Sequence, residues 1–275
     1  MTEDWPRASH WLGRNDEGDP TALVVAGVPL TEHAVTPSHY ELAPTAIRAR
    51  LAKLSTWHGE RHVALDALAV RDLGDALQPP PLQAPLTILL GGHNAVTYHA
   101  LANAPLAHYG LLTLDAHHDV RPYEPGAVGN GSPVRALIDA GLPGANVVQV
   151  GIHGFSNSKS HYDWCIDQGI TVHGPDRIGD VPTLLDDLAR RCAAIYVDID
   201  VDVLDRAFAP ACPGSRPGGI TPRQLFDAAF AAGAHPSVRA IDIVEVDPAA
   251  DVASVTVDAA ALTLLNAAAG YATRW

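Results

Sequence analysis

Leu111-Leu112-Thr113-Leu114-Asp115-Ala116-His117-His118-Asp119 runs from an apolar strand straight into a cluster of metal-binding residue types. The pattern returns in Ala193-Ala194-Ile195-Tyr196-Val197, followed by Asp198-Ile199-Asp200-Val201-Asp202-Val203-Leu204-Asp205. Both apolar runs are short and do not alternate with polar residues, the mark of strands buried on both faces. On an extended chain, residues two apart point the same way. Asp115, His117 and Asp119 therefore share a side, as do Asp198, Asp200 and Asp202, while His118 has the opposite parity. In an open parallel sheet, ligands bind beyond the carboxyl ends of the strands. Several carboxylates meeting there cannot all ionise unless cations compensate them. Carboxylates with one or two imidazoles suit Mn²⁺-like ions, whereas structural Zn²⁺ would bring thiolates. Two such ions about 3.5 Å apart can hold a bridging hydroxide as nucleophile at neutral pH.

Further buried strands are expected at Leu23–Val28, Leu86–Leu90, Val147–Val150 and Ala240–Val244. Helices are expected between them. One runs from Pro44 to Leu54, with Ile47, Leu51 and Leu54 on one face. Another begins at an N-cap Thr221, with Pro222 first inside and Gly233 as its stop. Val252–Ala272 is a long Ala-rich helix, expected to lie over the sheet and too interrupted by Asp258 and Asn266 to span a membrane. The alternation predicts an α/β fold with a mostly parallel central sheet covered on both sides. Residues 1–20 are expected to form a polar, irregular surface arm, and residues 21–275 a single domain.

The chain has 275 residues, 47% hydrophobic, enough for a sizeable core. Eighteen basic against 31 acidic residues give a net charge of -13, which argues against a nucleic-acid partner. No apolar run approaches the roughly 18 residues of a membrane span. The acidic, polar start Met1-Thr2-Glu3-Asp4-Trp5 does not read as a signal or transit peptide. Cys165, Cys192 and Cys212 are odd in number and widely spaced, so no disulfide framework is expected and a cytoplasmic setting fits.

Asp115-Ala116-His117-His118-Asp119 resembles the DAHxD signature of the ureohydrolases, the arginase and agmatinase family. Asp200-Val201-Asp202-Val203-Leu204-Asp205-Arg206-Ala207-Phe208-Ala209-Pro210-Ala211 resembles that family's DxDxxDPxxxPG/A signature, with Arg206 in the usual Pro place. Ala43-Pro44-Thr45-Ala46-Ile47-Arg48, Pro217-Gly218-Gly219-Ile220-Thr221 and Ile243-Val244-Glu245-Val246-Asp247-Pro248 resemble further family landmarks, in the family's order. The resemblance implies a three-layer α/β/α sandwich and two Mn²⁺ per chain, with Ni²⁺ or Fe²⁺ as alternatives. Asp115, Asp119 and Asp200 would serve one ion. His117, Asp115, Asp200 and Asp202 would serve the other. Metal-bound hydroxide would attack an amidine or guanidine carbon, with Asp119 orienting it and Glu245 holding the cationic nitrogens. Homo-oligomers, trimers or hexamers, are implied as well.

The family's first ligand is the His of a GGDH turn, where this chain reads Gly91-Gly92-His93-Asn94-Ala95. Either His93 swings in, Asn94 coordinates, or the first ion binds weakly; His93 is the expected ligand. Where the family often carries a proton-shuttling His, this chain has Asn130, which cannot shuttle. His153 is the candidate to protonate the leaving group. Asp198 is expected to be a buried acceptor behind the ligands.

Carboxylate recognition in a cleft calls for Arg. Arg121 and Arg216 lie on loops expected to flank the metals. The Asp-Val-Arg continuation, Asn130-Gly131-Ser132-Pro133-Val134-Arg135 and Gly154-Phe155-Ser156-Asn157-Ser158 look more like formimidoylglutamases than agmatinases. The expected reaction is hydrolysis of N-formimidoyl-L-glutamate to L-glutamate and formamide in histidine degradation, with Arg121, Asn130, Asn157 and Arg216 binding substrate. An agmatinase, a guanidino-acid hydrolase, a one-metal amide hydrolase, and a metal-poor binding protein on the same fold are the alternatives.

Overall fold

The computed structural model describes residues 5–274. Its strands are β1 (Leu23–Val28), β2 (Trp57–His58), β3 (Val63–Ala64), β4 (Val70–Asp75), β5 (Thr87–Gly91), β6 (Tyr109–Leu114), β7 (Val147–Val150), β8 (Thr171–His173), β9 (Ala194–Asp200) and β10 (Val238–Val244). Its α-helices are α1 (Ala8–Leu12), α2 (Ala43–Arg50), α3 (Val96–Leu101), α4 (Pro133–Asp139), α5 (Lys159–Asp167), α6 (Val181–Ala189), α7 (Pro222–Ala234) and α8 (Val255–Ala272). Eight strands form one sheet in the order β4-β1-β5-β10-β9-β6-β7-β8, and every pairing in it is parallel. β2 and β3 make a separate antiparallel hairpin.

Side-chain alternation along the strands divides the core into layers. Val25, Ile88, Leu112, Val197 and Ile241 pack with apolar side chains of α1, α2, α6, α7 and α8. Leu111, Val147, Tyr196 and Ala240 pack with Leu101 of α3, Val134 and Leu137 of α4, and Cys165 of α5. The fold is therefore a three-layer α/β/α sandwich. β1, β5, β6 and β7 are buried along their whole length, as strands covered on both sides must be.

Several elements depart from the sequence expectation. β4 and β8 were not anticipated. Val70-Arg71-Asp72-Leu73-Gly74-Asp75 and Thr171-Val172-His173 are the two sheet edges, and neither carries a continuous apolar run. The expected N-terminal arm contains α1, whose Ala8, Trp11 and Leu12 are buried and whose Trp11 indole donates to Leu68 O at 3.0 Å. Residues 1–4 of that arm lie outside the described residues.

The α7 start matches a capping box: Thr221 and Gln224 satisfy each other's backbone N–H groups. Its stop does not. Gly233 lies inside α7, because a Cβ there would meet Ala267 O of α8 at 1.9 Å. Gly270 of α8 answers it, since a Cβ there would lie 2.0 Å from Phe230 O. The two glycines let α7 and α8 approach backbone to backbone. α8 has the length and composition of a membrane span, at mean hydropathy 1.2, yet 78% of it is buried within the protein.

β5, β10, β9 and β6 are consecutive in the middle of the sheet. Ile243 pairs with Leu90, Val244 with Asp200, and Leu114 with Ile199, so the four strands end level. The residues that follow them converge at one edge.

Candidate metal centre

Asp115 follows β6, and its chain is pinned by what it meets across the sheet. Ala116 N–H donates to Asp202 Oδ1 at 2.9 Å, and His117 N–H donates to Asp115 Oδ1 at 2.6 Å. On the β9 side, Asp200 Oδ1 accepts Asp202 N–H at 2.8 Å, which closes the turn Val201–Val203 and brings both acids to one face. His117 Nδ1 lies 2.6 Å from Asp202 Oδ2 and 3.7 Å from Asp115 Oδ1. Gly214 backs this corner; any Cβ there would lie 2.1 Å from Asp202 Oδ2.

Two overlapping groups result. Asp115, Asp119 and Asp200 present ligand atoms within 4.8 Å of one another, and so do Asp115, His117 and Asp202. Asp115 belongs to both. Asp200, expected to serve both ions, falls in the first group only. The ligand types are oxygens plus one imidazole, a donor set for Mn²⁺-like ions.

The electrostatics call for cations. Asp115, Asp200 and Asp202 are each at most 3% exposed. Burial, aided by the Asp202 charge, pushes Asp115 up to about 7. Burial and neighbouring acids push Asp119 and Asp200 well above the usual carboxylate range. Burial would also lift Asp202, but the His117 imidazolium and hydrogen bonds outweigh it and hold this carboxyl low. Against the opposing pull of burial, Asp202 and Asp115 raise His117 to about 11. A single imidazolium cannot neutralise four converging acids, so divalent ions fit this site.

Two of the residues here hold strained backbones. Asp119 has φ 53° and Glu245 has φ 69°, the left-handed region that non-glycine residues rarely adopt. The Glu245 carboxylate, 4% exposed, accepts Asn94 N–H and Asn130 Nδ2, each at 2.9 Å, on the same oxygen, Oε1. Burial pushes it up to about 7.

The Gly91–Ala95 turn corrects the expectation for His93. Its ring points away from the acids. Nε2 donates to Glu32 O at 2.7 Å, Nδ1 accepts Ala95 N–H at 3.2 Å, and burial drives the ring down to about 4, hence neutral. Asn94 takes the place beside the acids, its Nδ2 lying 2.8 Å from Asp119 Oδ2 and 3.4 Å from Asp115 Oδ2.

His153 is also turned away from the site. Its Nε2 donates to Pro217 O at 2.8 Å, and it does not line the cavity above the acids. That cavity, of about 140 Å³, is lined by Asp119, Arg121, Asn130, Asn157, Arg216 and Glu245, among others. The Arg121 guanidinium is exposed there and has no hydrogen-bond partner among the described residues. Arg216 lines the opposite loop, with Nη1 donating to the carbonyls of Pro213, Gly214 and Ser215. Asn157 reaches the cavity but spends its amide on backbone, donating to Ala116 O at 2.8 Å and accepting His118 N–H at 3.0 Å. His118, as its parity requires, is buried against Gln149 Oε1 at 2.7 Å. Asp198 is fully buried, paired in register with Asp242, and raised well above its usual range by burial and the Asp242 charge.

Among the cavity residues that escaped the sequence reading are the polar side chains of Tyr40, Ser156 and His161. Tyr40 stands four residues before Pro44 of a quoted landmark, and Ser156 lies in a quoted loop. His161 lies on α5, a helix that carries no clear apolar stripe.

The arginase-family model matches residues 81–270. Formimidoylglutamase of Halalkalibacterium halodurans is 33% identical over 93% of this chain and 88% of its own length. The crystal structure of formimidoylglutamase from Bacillus subtilis has a TM-score of 0.87 at 29% identity, covering 99% of this chain and 94% of that one. Trypanosoma cruzi formiminoglutamase, crystallised with Mn²⁺, shares the fold at TM-score 0.84 and 23% identity, over 99% of this chain and 100% of that one.

Proposed function

The chain belongs to the arginase family, and from that premise we propose that it hydrolyses N-formimidoyl-L-glutamate to L-glutamate and formamide with two Mn²⁺ ions at its carboxylate centre. The observation that carries this is the pair of overlapping groups, Asp115/Asp119/Asp200 and Asp115/His117/Asp202, beneath a cavity with an unpaired Arg121 at its wall. Asn94, its amide beside Asp115 and Asp119, stands where its carbonyl could complete the first group after a turn of the side chain.

Ions held there would supply the positive charge that makes a water acidic near neutral pH. Asp119 would orient that water toward the formimidoyl carbon. Glu245 would hold the terminal nitrogen of the cationic formimidoyl group. Water adds its oxygen to that carbon, the bond to the glutamate nitrogen breaks, and the two protons of that water pass to this nitrogen, which leaves as an ammonium while the carbon departs as formamide. Arg121 and Arg216, on opposite loops, would take the two carboxylates of the tail.

The wider reading is an enzyme of histidine degradation in the cytoplasm that works as a homo-oligomer without nucleic-acid or membrane partners. Three free, buried cysteines and a net charge of -13 support the compartment and the absence of nucleic acid. The test is Mn²⁺-loaded protein offered formimidoylglutamate, arginine, agmatine and guanidino acids. Release of formamide from formimidoylglutamate is expected, and turnover of agmatine alone overturns the dicarboxylate reading. Light scattering of the same preparation tests the oligomer.

A further inference from the structure

Glu245 meets the cavity with one of its oxygens already taken. Asn94 N–H and Asn130 Nδ2 both donate to Oε1, each at 2.9 Å. A carboxylate oxygen offers two lone-pair positions, so these donors fill it. The Asn130 amide cannot turn round, because its Oδ1 accepts Val35 N–H at 2.8 Å and so Nδ2 must face Glu245. The Tyr40 hydroxyl also bears on this carboxylate, and the Tyr40 ring is held edge-on by buried His93, with centroids 6.0 Å apart at 84°. What remains for substrate is at most Oε2, on a carboxylate that the Tyr40 hydroxyl also draws on.

The two head groups that such a site could take differ in what they ask of a carboxylate. A guanidinium carries two terminal NH₂ groups and pairs best with both oxygens in parallel. A formimidoyl cation carries one terminal NH₂, with a C–H in place of the other. We propose that Asn130 is a specificity-determining residue: by filling Oε1 it leaves Glu245 to grip a single terminal nitrogen and so favours N-formimidoyl over guanidino substrates. This rests on the formimidoyl reading above for its choice of substrate. The selection itself belongs to Glu245 and can also be read without turnover.

The experiment compares N-formimidoyl-L-glutamate with N-amidino-L-glutamate, which shares its tail and differs only in the head group. Asn130→Ala frees Oε1. The kcat/KM ratio of the formimidoyl to the amidino substrate is expected to fall by about tenfold or more, with the amidino substrate gaining in absolute terms. Loosening of the Val35 segment would slow both substrates alike and leave the ratio untouched. A ratio unchanged within about twofold overturns the proposal. Asn130→Asp keeps the acceptor for Val35 N–H while removing the donor, and the same narrowing is expected should Asn130→Ala fail to fold.

A second readout is calorimetric binding of N-methylformamidinium, with one terminal NH₂, and N-methylguanidinium, with two, to the Mn²⁺-loaded protein. Preference for N-methylformamidinium that the variants reduce sustains the proposal, and equal binding in the wild-type chain overturns it. Failure to hydrolyse either glutamate derivative would reject the substrate reading, and the two-ion comparison would then decide the role of Asn130 by itself.

Discussion

His93 and Asn94 are neighbours in the chain and face opposite ways: His93 Nε2 reaches Glu32 O at 2.7 Å, while Asn94 Nδ2 reaches Asp119 Oδ2 at 2.8 Å. Their substitutions should therefore separate. His93→Phe leaves the buried Glu32 carbonyl and Ala95 N–H without partners, and a loss of about 1–3 kcal/mol is expected in urea denaturation with two metals per chain retained. Asn94→Leu should leave the urea midpoint nearer to wild type and lower metal occupancy. Mass spectrometry of bound metal against denaturation midpoint reads both.

Asp200 sits 3% exposed among Asp115 and Asp202. Without ions this cluster is a source of repulsion, and Asp200→Asn should make the chelator-treated protein more stable than chelator-treated wild type by about 1 kcal/mol or more. Adding Mn²⁺ should then raise the melting midpoint of wild type strongly and of the variant weakly, since ligand binding stabilises by mass action. Calorimetric melts with chelator and with Mn²⁺ check the crossing.

Arg121 presents its guanidinium to the cavity with no protein partner among the described residues. Arg121→Gln should raise KM for formimidoylglutamate by about 10–100-fold, the worth of a charge-assisted hydrogen bond, while kcat stays within a few-fold. An N-alkyl formamidine without carboxylates should show no difference between the two proteins in steady-state assays.

His153 is tied to Pro217 O at 2.8 Å outside the cavity. His153→Ala should therefore keep kcat within about twofold across the neutral range, where loss of a general acid would cost about 100-fold or more. Stopped assays at several pH values distinguish the two.

Gly233→Ala would drive a methyl to 1.9 Å from Ala267 O. Because the obstacle is backbone, α7 and α8 must separate, and a cost of about 1–3 kcal/mol or more is expected in chemical denaturation. The folded fraction should keep the wild-type kcat, since neither helix lines the cavity.

The centre of the sheet and its ligands were legible because they follow one rule: an apolar run, then acids. β6 into Asp115 and β9 into Asp200 are dictated by burial on both faces, which leaves a plain signal. β4 and β8 were hidden because edges need no continuous apolar run. Gly233 read as a helix stop because sequence cannot show the backbone of α8 lying against it. His93 against Asn94 is decided by Glu32 and Tyr40, which are far away in the chain, so local spacing could not orient the turn. His161 carried no sequence signal, as it lines the cavity through the placement of α5 alone.

β10 lies between β5 and β9, yet it is the last of the eight strands to be made. During synthesis the chain therefore carries two half-sheets, β4-β1-β5 and β9-β6-β7-β8, whose inner borders have no partner until residue 244 is released. Those borders are buried in the finished sheet, and unpaired strand edges of this kind are templates for aggregation. Birth of this protein thus ends with a keystone. Late insertion of one strand joins the halves, delivers Glu245, and slows folding because its pairing with β5, Ile241 to Ile88, bridges more than half the chain.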